Sequence, residues 1–313
     1  MPATHSSNKR ILMRNKVRTI LLATAYLAAM WPQASRAQRI VRDSLVINGH
    51  MRHFKMLLPD RLSVKAPLVL ALHGYGSKVS VERWMQSPTD TWMNEAAVRH
   101  GFALCVPLGL KDKTGRRGWN VRYPSQEGWE MDDVSTVEQL ARHVQKKYGL
   151  SKANTFLTGM SNGGEMCYVL NYKRQSVFRA LASVAGLTLT WMFEEREKSR
   201  PIPFMEIHGT EDRTSEWTGD LENKFGWGCY MSVPDAVAHI VEKNGCKPLP
   251  TDTVKGKSFD KDGHLVVHHR FANPRTHNDV WLYEVIGAGH NWFLSDMDTG
   301  EEIWKFFSRY LKK

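Results

Sequence analysis

Short apolar segments alternate with amphipathic helical segments along most of this 313-residue chain, and this alternation limits the fold more than any other feature. Pro67 to His73 is a continuous apolar run of the kind that is buried on both faces of a sheet. A helix capped by Asp132 or Asp133 and ending near Tyr148 instead has its apolar residues on one face. Strands that alternate with crossover helices form parallel sheets. The sequence therefore predicts an α/β fold, with helices on both faces of a mostly parallel sheet.

The same patterns predict the remaining elements of the chain. An opening hairpin is expected around Asn48-Gly49, a dipeptide that favours a tight two-residue turn. Further strands are predicted at 102–106, 154–159, 178–185, 203–208, 265–271 and 280–286. Further helices are predicted at 91–100, 163–173, 234–244 and 301–312, with long loops at 107–131 and 210–232. No repeat, low-complexity tract or linker divides these elements, so we expect one domain over residues 38–313.

The N-terminal segment, residues 1–37, differs from the rest of the chain in charge. It has six basic residues and no acidic one, and the basic residues flank an apolar run from Thr19 to Trp31. Small residues ending at Ala37 follow, so this segment is predicted to be a secretory signal peptide. The remaining chain is then expected to be secreted or periplasmic, without stable membrane insertion. A retained N-terminal anchor is the alternative, and Met13 is as plausible a start as Met1.

The formal net charge of +11 raises the question of a nucleic-acid partner. Outside the N-terminal segment the chain has 37 Lys and Arg against 32 Asp and Glu, without a basic stripe, so no nucleic-acid partner is expected. No metal is predicted either. The sequence lacks an H-E-x-x-H motif, and the adjacent His268 and His269 point to opposite faces of a strand. Among the four cysteines, Cys229 and Cys246 either pair across a short loop or remain free thiols.

Gly159-Met160-Ser161-Asn162-Gly163 is the segment with the clearest chemical meaning. It has the pattern G-x-S-x-G and lies where strand 154–159 must turn sharply into helix 163–173. A serine at the tip of such a turn has a strained backbone, and the flanking glycines let the strand and the helix approach closely. Ser161 is therefore predicted to be a nucleophile. A glycine-rich turn with an incidental serine is the alternative.

A serine hydroxyl needs a base that removes its proton. His290 follows the last predicted strand in a loop, Gly287-Ala288-Gly289, whose glycines let the imidazole bend back over the sheet edge. Asp212 lies four residues past strand 203–208 and is predicted to accept the Nδ1 proton of that imidazole. Glu211 and Asp220 compete with Asp212 for this role. The order Ser, acid, His along the chain is the order found in α/β-hydrolases.

Acyl transfer also needs N–H donors for the oxyanion that develops on the carbonyl oxygen. The amide of Asn162, directly after the nucleophile, is one predicted donor. The loop His73-Gly74-Tyr75-Gly76 is expected to supply the other through the N–H of Tyr75, with the Tyr75 ring lining the acyl pocket. His73 is expected to hold this loop by hydrogen bonds rather than to take part in the chemistry.

Several ordered segments together resemble the secreted esterases of the polyhydroxybutyrate-depolymerase and feruloyl-esterase type, from about residue 44 to the end of the chain. The segments are LHGYGS, GWN, MDDVSTVEQL, GMSNGGEM, IHGTED, VPDAV with the later NGC, and GAGHNW. The resemblance implies an α/β-hydrolase fold, a triad of Ser161, Asp212 and His290, and an oxyanion hole at Tyr75 and Asn162. Family members often carry Cys at the position of Tyr75, and this departure affects the expected shape of the acyl pocket.

The tract around Trp217 and Trp227 is most similar to the branch that deacylates plant polysaccharides. We therefore expect a serine esterase that removes feruloyl or acetyl groups from a polysaccharide such as xylan and needs no cofactor. Loop tryptophans are candidates for stacking on sugar or feruloyl rings, with structural anchoring as the alternative. They are Trp119, Trp129, Trp217, Trp227 and Trp292. Two other functions stay open, a polyhydroxyalkanoate or related polyester depolymerase and a non-catalytic binding protein on a hydrolase scaffold.

Overall fold

The computed structural model describes residues 38–89, 91–173, 175–196, 199–254 and 263–313. The predicted signal peptide lies outside these ranges. From Gln38 onward the described residues group into one compact unit. Within the described ranges, no helix combines the length and the apolar character that crossing a bilayer requires.

The strands of the described residues form one large sheet and a separate small hairpin. In chain order they are β1 (Gln38–Ile47), β2 (His50–Pro59), β3 (Leu68–Leu72), β4 (Ala103–Pro107), β5 (Leu110–Lys111), β6 (Arg117–Gly118), β7 (Thr155–Met160), β8 (Leu181–Val184), β9 (Phe204–Gly209), β10 (Lys247–Pro248), β11 (Asp252–Val254), β12 (Leu265–Ala272) and β13 (Val280–Ile286). The sheet order is β1-β2-β4-β3-β7-β8-β9-β13-β12-β10, and β11 pairs with β12. The strands from β4 to β13 in this order are parallel, which confirms the predicted mostly parallel sheet.

Helices connect these strands and cover the sheet. Those of the described residues are α1 (Val81–Gln86), α2 (Asn94–His100), α3 (Asp133–Tyr148), α4 (Asn162–Tyr172), α5 (Thr190–Glu194), α6 (Val233–Asn244) and α7 (Thr299–Ser308). The five longer helices predicted from the sequence are therefore present. Asp132, not Asp133, caps α3, because its side chain accepts the N–H of Ser135.

Residues of β3 show how the sheet is covered on both faces. Leu68, Leu70 and Leu72 pack in a core cluster that contains apolar residues of α3, α4 and α6. Val69 and Ala71 point the other way and pack in a second cluster with residues of α2 and α7. Because side chains alternate along a strand, a run that is apolar at every position supplies both cores.

The opening hairpin is confirmed. Asn48 and Gly49 join β1 to β2 with φ of 50° and 80°, the left-handed values that a tight hairpin turn requires. α1 was not predicted, because none of its residues is buried and its sequence therefore carries no apolar period. Cys229 and Cys246 are free thiols, so the paired alternative is not formed in this structure.

Candidate active site

Ser161 lies at the turn between β7 and α4, where the sequence predicts it. Its φ of 54° and ψ of −123° are strained for a residue with a side chain. A Cβ added to Gly159 would lie 2.2 Å from the carbonyl oxygen of Gly163, and one added to Gly163 would lie 2.4 Å from that of Leu72. The turn is therefore packed backbone against backbone, and these contacts hold the serine in a single sharp conformation.

Asp212 and His290 follow the carboxyl ends of β9 and β13, which are neighbouring parallel strands. The Nδ1 atom of His290 lies 2.7 Å from Oδ2 of Asp212. The other carboxylate oxygen of Asp212 accepts the N–H groups of Thr214 and Ser215, each at 2.8 Å. The Asp212 side chain is fully buried, and that of His290 is 20% exposed. The acid is therefore fixed through both oxygens, while the imidazole reaches the surface.

The two competing acids lie in other environments. Glu211 is exposed. Asp220 caps its own loop, because its carboxylate accepts the N–H groups of Glu222 and Phe225. Asp212 is thus the acid that the structure joins to His290.

The charge state of Asp212 follows from its neighbours. Burial by itself raises the pKa of this carboxyl group, but the hydrogen bond and charge of His290, the charge of His208 and the Ser215 N–H outweigh it. The pKa is held below its ordinary value of 3.8. An ionised Asp212 keeps the proton of His290 on Nδ1, which leaves Nε2 free to act as a base.

Ser161 shares the sheet edge of this pair, because β8 alone separates β7 from β9. Among the hydrogen bonds of the described residues, none joins the Ser161 hydroxyl to the His290 imidazole. Contacts of this type are often long in an enzyme without substrate and shorten when it binds. The structure thus brings the acid and the base together at the edge that carries the serine, and the Ser161–His290 contact stays a prediction.

Two backbone N–H groups beside Ser161 suit an oxyanion hole. Those of Tyr75 and Asn162 donate no hydrogen bond to another described residue. The Tyr75 loop runs next to the nucleophile, since a Cβ added to Gly74 would lie 3.2 Å from Cβ of Ser161. Both predicted donors are therefore available close to the serine.

His73 holds the Tyr75 loop, as predicted. Its Nε2 accepts the N–H of Gly109 at 2.9 Å, and its Nδ1 lies 2.6 Å from the carbonyl oxygen of Gly74. One nitrogen accepts and the other donates, so the ring is a neutral imidazole with its proton on Nδ1. Burial lowers the pKa of His73, which favours the same state.

Trp119 does not reach the surface of the site, contrary to the prediction of a substrate contact. The side chain is buried, and its indole N–H donates to the carbonyl oxygen of His73 at 2.9 Å. The amide side chain of Asn162 bonds to the backbone of Trp119, through Oδ1 at 2.6 Å and Nδ2 at 3.1 Å. Trp119 therefore braces the Tyr75 loop against the start of α4.

The Tyr75 ring belongs to an aromatic cluster. Its centroid lies 5.6 Å from that of Tyr123 and 6.1 Å from that of Trp227, with both pairs edge to face. The Tyr75 hydroxyl donates to Asp112. Tyr75 and Trp227 are half-buried, so their remaining surface is available to a substrate.

A cavity of about 370 Å³ is lined in part by the Tyr75 loop. His73, Gly74 and Tyr75 form one wall, and Trp92 and Trp292 form another. The two indoles are stacked with centroids 4.0 Å apart. Gly74, which lines this cavity, is adjacent to Ser161, but Ser161 and His290 themselves do not line it.

The remaining predicted tryptophans are half-buried. Trp217 lies in the loop after Asp212, with its ring 6.1 Å from that of His208. Trp129 holds the 107–131 loop, since its carbonyl oxygen accepts the Asn120 side chain at 2.6 Å. These positions leave their contact with a substrate as a prediction.

Glu165 was not predicted from the sequence. It is completely buried one helical turn after Ser161, beside the Asn162 side chain. Burial raises the pKa of Glu165 to about 8, against the opposing effect of hydrogen bonds from Tyr123 and Asn162. The sequence signal that could have marked it is an acidic residue four positions after the serine. The helix that carries it is buried along its whole length, which only the structure shows.

Among the described residues, no three His, Cys, Asp or Glu side chains cluster in a way that could hold a metal ion.

Comparisons with known proteins show which proteins this chain is similar to. The family model described as esterase PHB depolymerase matches residues 53–208. A probable feruloyl esterase C of Aspergillus flavus is 25% identical over 259 residues, which cover 77% of this chain and 88% of that protein. A bifunctional acetylxylan esterase/xylanase of Neocallimastix patriciarum is 24% identical over 174 residues, which cover 56% of this chain and 23% of that protein.

A solved structure supports the fold. The acetyl xylan esterase from Aspergillus awamori matches with a TM-score of 0.55 at 13% identity, over 87% of this chain and 100% of the other. At this identity the likeness concerns the fold alone, and it confirms the predicted α/β-hydrolase fold.

Proposed function

We propose that this chain, which is similar to esterases of the polyhydroxybutyrate-depolymerase and feruloyl-esterase type, is a carboxylic ester hydrolase that removes feruloyl or acetyl groups from a plant cell-wall polysaccharide such as xylan. The proposed catalytic groups are Ser161, His290 and Asp212. We further propose that residues 1–37 direct its export, since the substrate lies outside the cell.

In the first step the Ser161 hydroxyl oxygen attacks the ester carbonyl carbon, and Nε2 of His290 accepts the hydroxyl proton. The tetrahedral intermediate has a negative oxygen, which the N–H groups of Tyr75 and Asn162 stabilise. The carbon–oxygen bond to the sugar then breaks. The leaving alkoxide takes the proton from His290, and the acyl group remains on Ser161.

In the second step water attacks the acyl group on Ser161 while Nε2 of His290 accepts a proton from it. The second tetrahedral intermediate collapses, and His290 returns the proton to the Ser161 oxygen. Asp212 accepts the Nδ1–H bond throughout and stabilises the imidazolium in both steps. The products are a carboxylic acid and the regenerated serine.

One observation carries this proposal. The His290–Asp212 hydrogen bond of 2.7 Å lies at the sheet edge where a strained Ser161 follows β7. A buried carboxylate, an imidazole bound through Nδ1 and a serine at positive φ make up the constellation that nucleophilic acyl transfer needs.

The surroundings of Ser161 favour an ester with a ring on at least one side. The cavity lined by Gly74, the neighbour of Ser161, has a volume of about 370 Å³, within the range of small-ligand sites, and the stacked indoles of Trp92 and Trp292 line it. The Tyr75 and Trp227 rings offer a second aromatic surface. Feruloyl rings and sugar rings both stack on such faces.

A hydrolysis panel tests the proposal, with methyl ferulate, acetylated xylan and polyhydroxybutyrate film as substrates. We expect release of ferulate or acetate by the unchanged chain and a loss of roughly 10⁴-fold or more in Ser161→Ala. Ser176→Ala is the matched control, because Ser176 is exposed and lies before β8, away from the carboxyl edge of the sheet. This control should hydrolyse the esters at the unchanged rate.

Three results would overturn parts of the proposal. Hydrolysis by Ser161→Ala at the unchanged rate refutes the serine mechanism. Rapid release from the polymer film with no action on ferulate or acetylated xylan identifies a polyester depolymerase instead. Failure of a fluorophosphonate probe to label the folded chain at Ser161 favours a non-catalytic binding protein.

A further inference from the structure

His208 lies beside the proposed triad and takes no part in the proton transfers described above. It is on β9, its side chain is completely buried, and the strand period puts it on the same face as Glu206. Its Nδ1 lies 2.8 Å from Oε1 of Glu206, and its Nε2 lies 2.7 Å from the backbone oxygen of Ser215. The Nε2 atom is also 3.7 Å from Oδ2 of Asp212, the oxygen that binds His290.

Both ring nitrogens of His208 therefore face oxygens that accept hydrogen bonds. A neutral imidazole has one N–H and can donate to only one of them. The carbonyl oxygen of Ser215 carries no proton, so Nε2 must carry one. Nδ1 and Glu206 then share one more proton. The negative charge of Asp212 nearby favours placing it on the ring, as a cation, over placing it on Glu206.

Apart from His290, the titratable groups that face this pair are carboxyl, thiol and phenol groups, which cannot carry a positive charge. Glu165, Cys167 and Tyr168 of α4 face Glu206, Tyr230 faces Asp212, and Glu284 of β13 stands in register with His208 and is paired with His269. Burial by itself lowers the pKa of His208, but the hydrogen bond and charge of Glu206 and the charge of Asp212 outweigh it. The pKa of His208 is raised above its ordinary value of 6.5.

We propose that His208, held as an imidazolium by Glu206, is a positioning residue that keeps the Asp212 carboxylate ionised and directed at His290, and that it lowers the basicity of His290. This inference rests on the proposed function, because it assigns His290 as the base. Oδ2 of Asp212 lies between two imidazoles. A positive charge on His208 makes a second positive charge on His290 less favourable, so His290 stays a free base to lower pH.

The pH profile of kcat/KM tests this inference in the full chain, with p-nitrophenyl acetate as the substrate. The acidic limb reports the protonation of the base in the free enzyme. His208→Gln removes the cation, and Glu206→Gln removes the carboxylate that holds its proton. Both variants should shift the acidic limb of the kcat/KM profile to higher pH, by about one pH unit.

His100→Gln is the matched control for these variants. His100 has a carboxylate partner at the same separation, since its Nε2 lies 2.8 Å from Oε1 of Glu301, but this pair is on the surface between α2 and α7. The control should leave the acidic limb in place. If His208 and Glu206 had only a structural role, their variants would lower kcat/KM at every pH and leave the limb unmoved, which overturns the proposal.

A second measurement does not depend on turnover. Nitrogen-15 NMR of the unchanged chain, labelled at histidine, reports which ring nitrogens carry protons. At pH 7 we expect His208 to have protons on both nitrogens, with its signals assigned by their loss in His208→Gln. A ring with one proton refutes the inference. If the chain hydrolyses no ester, the proposed function fails, and the NMR result still decides the charge of His208.

Discussion

Gly209 is the residue whose substitution should separate the acid from the base most selectively. It ends β9, three residues before Asp212, and it packs against the loop that carries His290. A Cβ added to Gly209 would lie 2.2 Å from the carbonyl oxygen of Ala288 and 2.9 Å from that of Gly289. Ordinary contacts begin at 3.4 Å, so the His290 loop has to retreat by roughly 1 Å in Gly209→Ala.

The expected loss of activity follows from this displacement. A misplacement of about 1 Å costs an enzyme about 100-fold in rate, so kcat/KM of Gly209→Ala on p-nitrophenyl acetate should fall by about that factor. Overpacking of this kind also lowers the free energy of unfolding, by roughly 1–3 kcal/mol. Circular dichroism of the variant before the assay shows that the assayed protein is folded, so that a loss of activity is not a loss of folded protein.

Gly289→Ala is the matched control, because it adds the same methyl group to the same loop. The nearest atom to that methyl group would be the carbonyl oxygen of Glu211 at 4.0 Å, and Gly289 does not have a left-handed φ. Its kcat/KM should stay within about threefold of the unchanged chain. The steric reasoning is wrong if Gly209→Ala is fully active, or if Gly289→Ala is as damaging as Gly209→Ala.

Three further substitutions test the supports of the site. Trp119→Phe removes the donor to the His73 carbonyl oxygen and should cost about 1 kcal/mol, seen as a fall of about 2 °C in Tm; an unchanged Tm contradicts the bracing role. Arg52→Met leaves the buried Asp133 carboxylate unpaired and should lower the free energy of unfolding in urea by about 3–5 kcal/mol, whereas no loss would show that the ion pair is dispensable. Burial raises the pKa of Glu165 from 4.5 to about 8, so the free energy of unfolding should fall as pH rises between these values. Glu165→Gln should remove up to about 4 kcal/mol of this fall between pH 5 and pH 9, and the reasoning is wrong if both proteins lose stability equally over this range.

Much of the fold could be predicted because the sheet is buried on both faces. The run from Leu68 to Leu72 is apolar at every position, and each of its two faces meets a separate core. The same patterns predicted α3, whose buried residues repeat with the helical period. Short elements on the surface were missed. α1 buries none of its residues, and β10 is only two residues long.

The candidate site was predictable only where chemistry is tied to a local pattern. Ser161 stands in a motif with a fixed turn, and Asp212 and His290 follow strands in the expected order. Loops have no such period, so sequence alone could not tell that Trp119 faces inward to the His73 carbonyl oxygen. The contacts of His208 depend on which residues approach it after folding, and nothing in the segment IHGTED predicts a charge on it.

His73 and His208 are both buried, and the difference between them lies in their partners. His73 accepts the N–H of Gly109 and faces the carbonyl oxygen of Gly74, so it needs one proton and is neutral. His208 faces two acceptors and, on our proposal, carries two protons. A second proton on His73 would have to bind Nε2, which already accepts the N–H of Gly109. Burial lowers the pKa of His73, so this protonation is unfavourable. The Tyr75 loop is therefore protected against mild acid, and the pH at which activity is lost should depend on the proposed base His290 and on the charge beside Asp212.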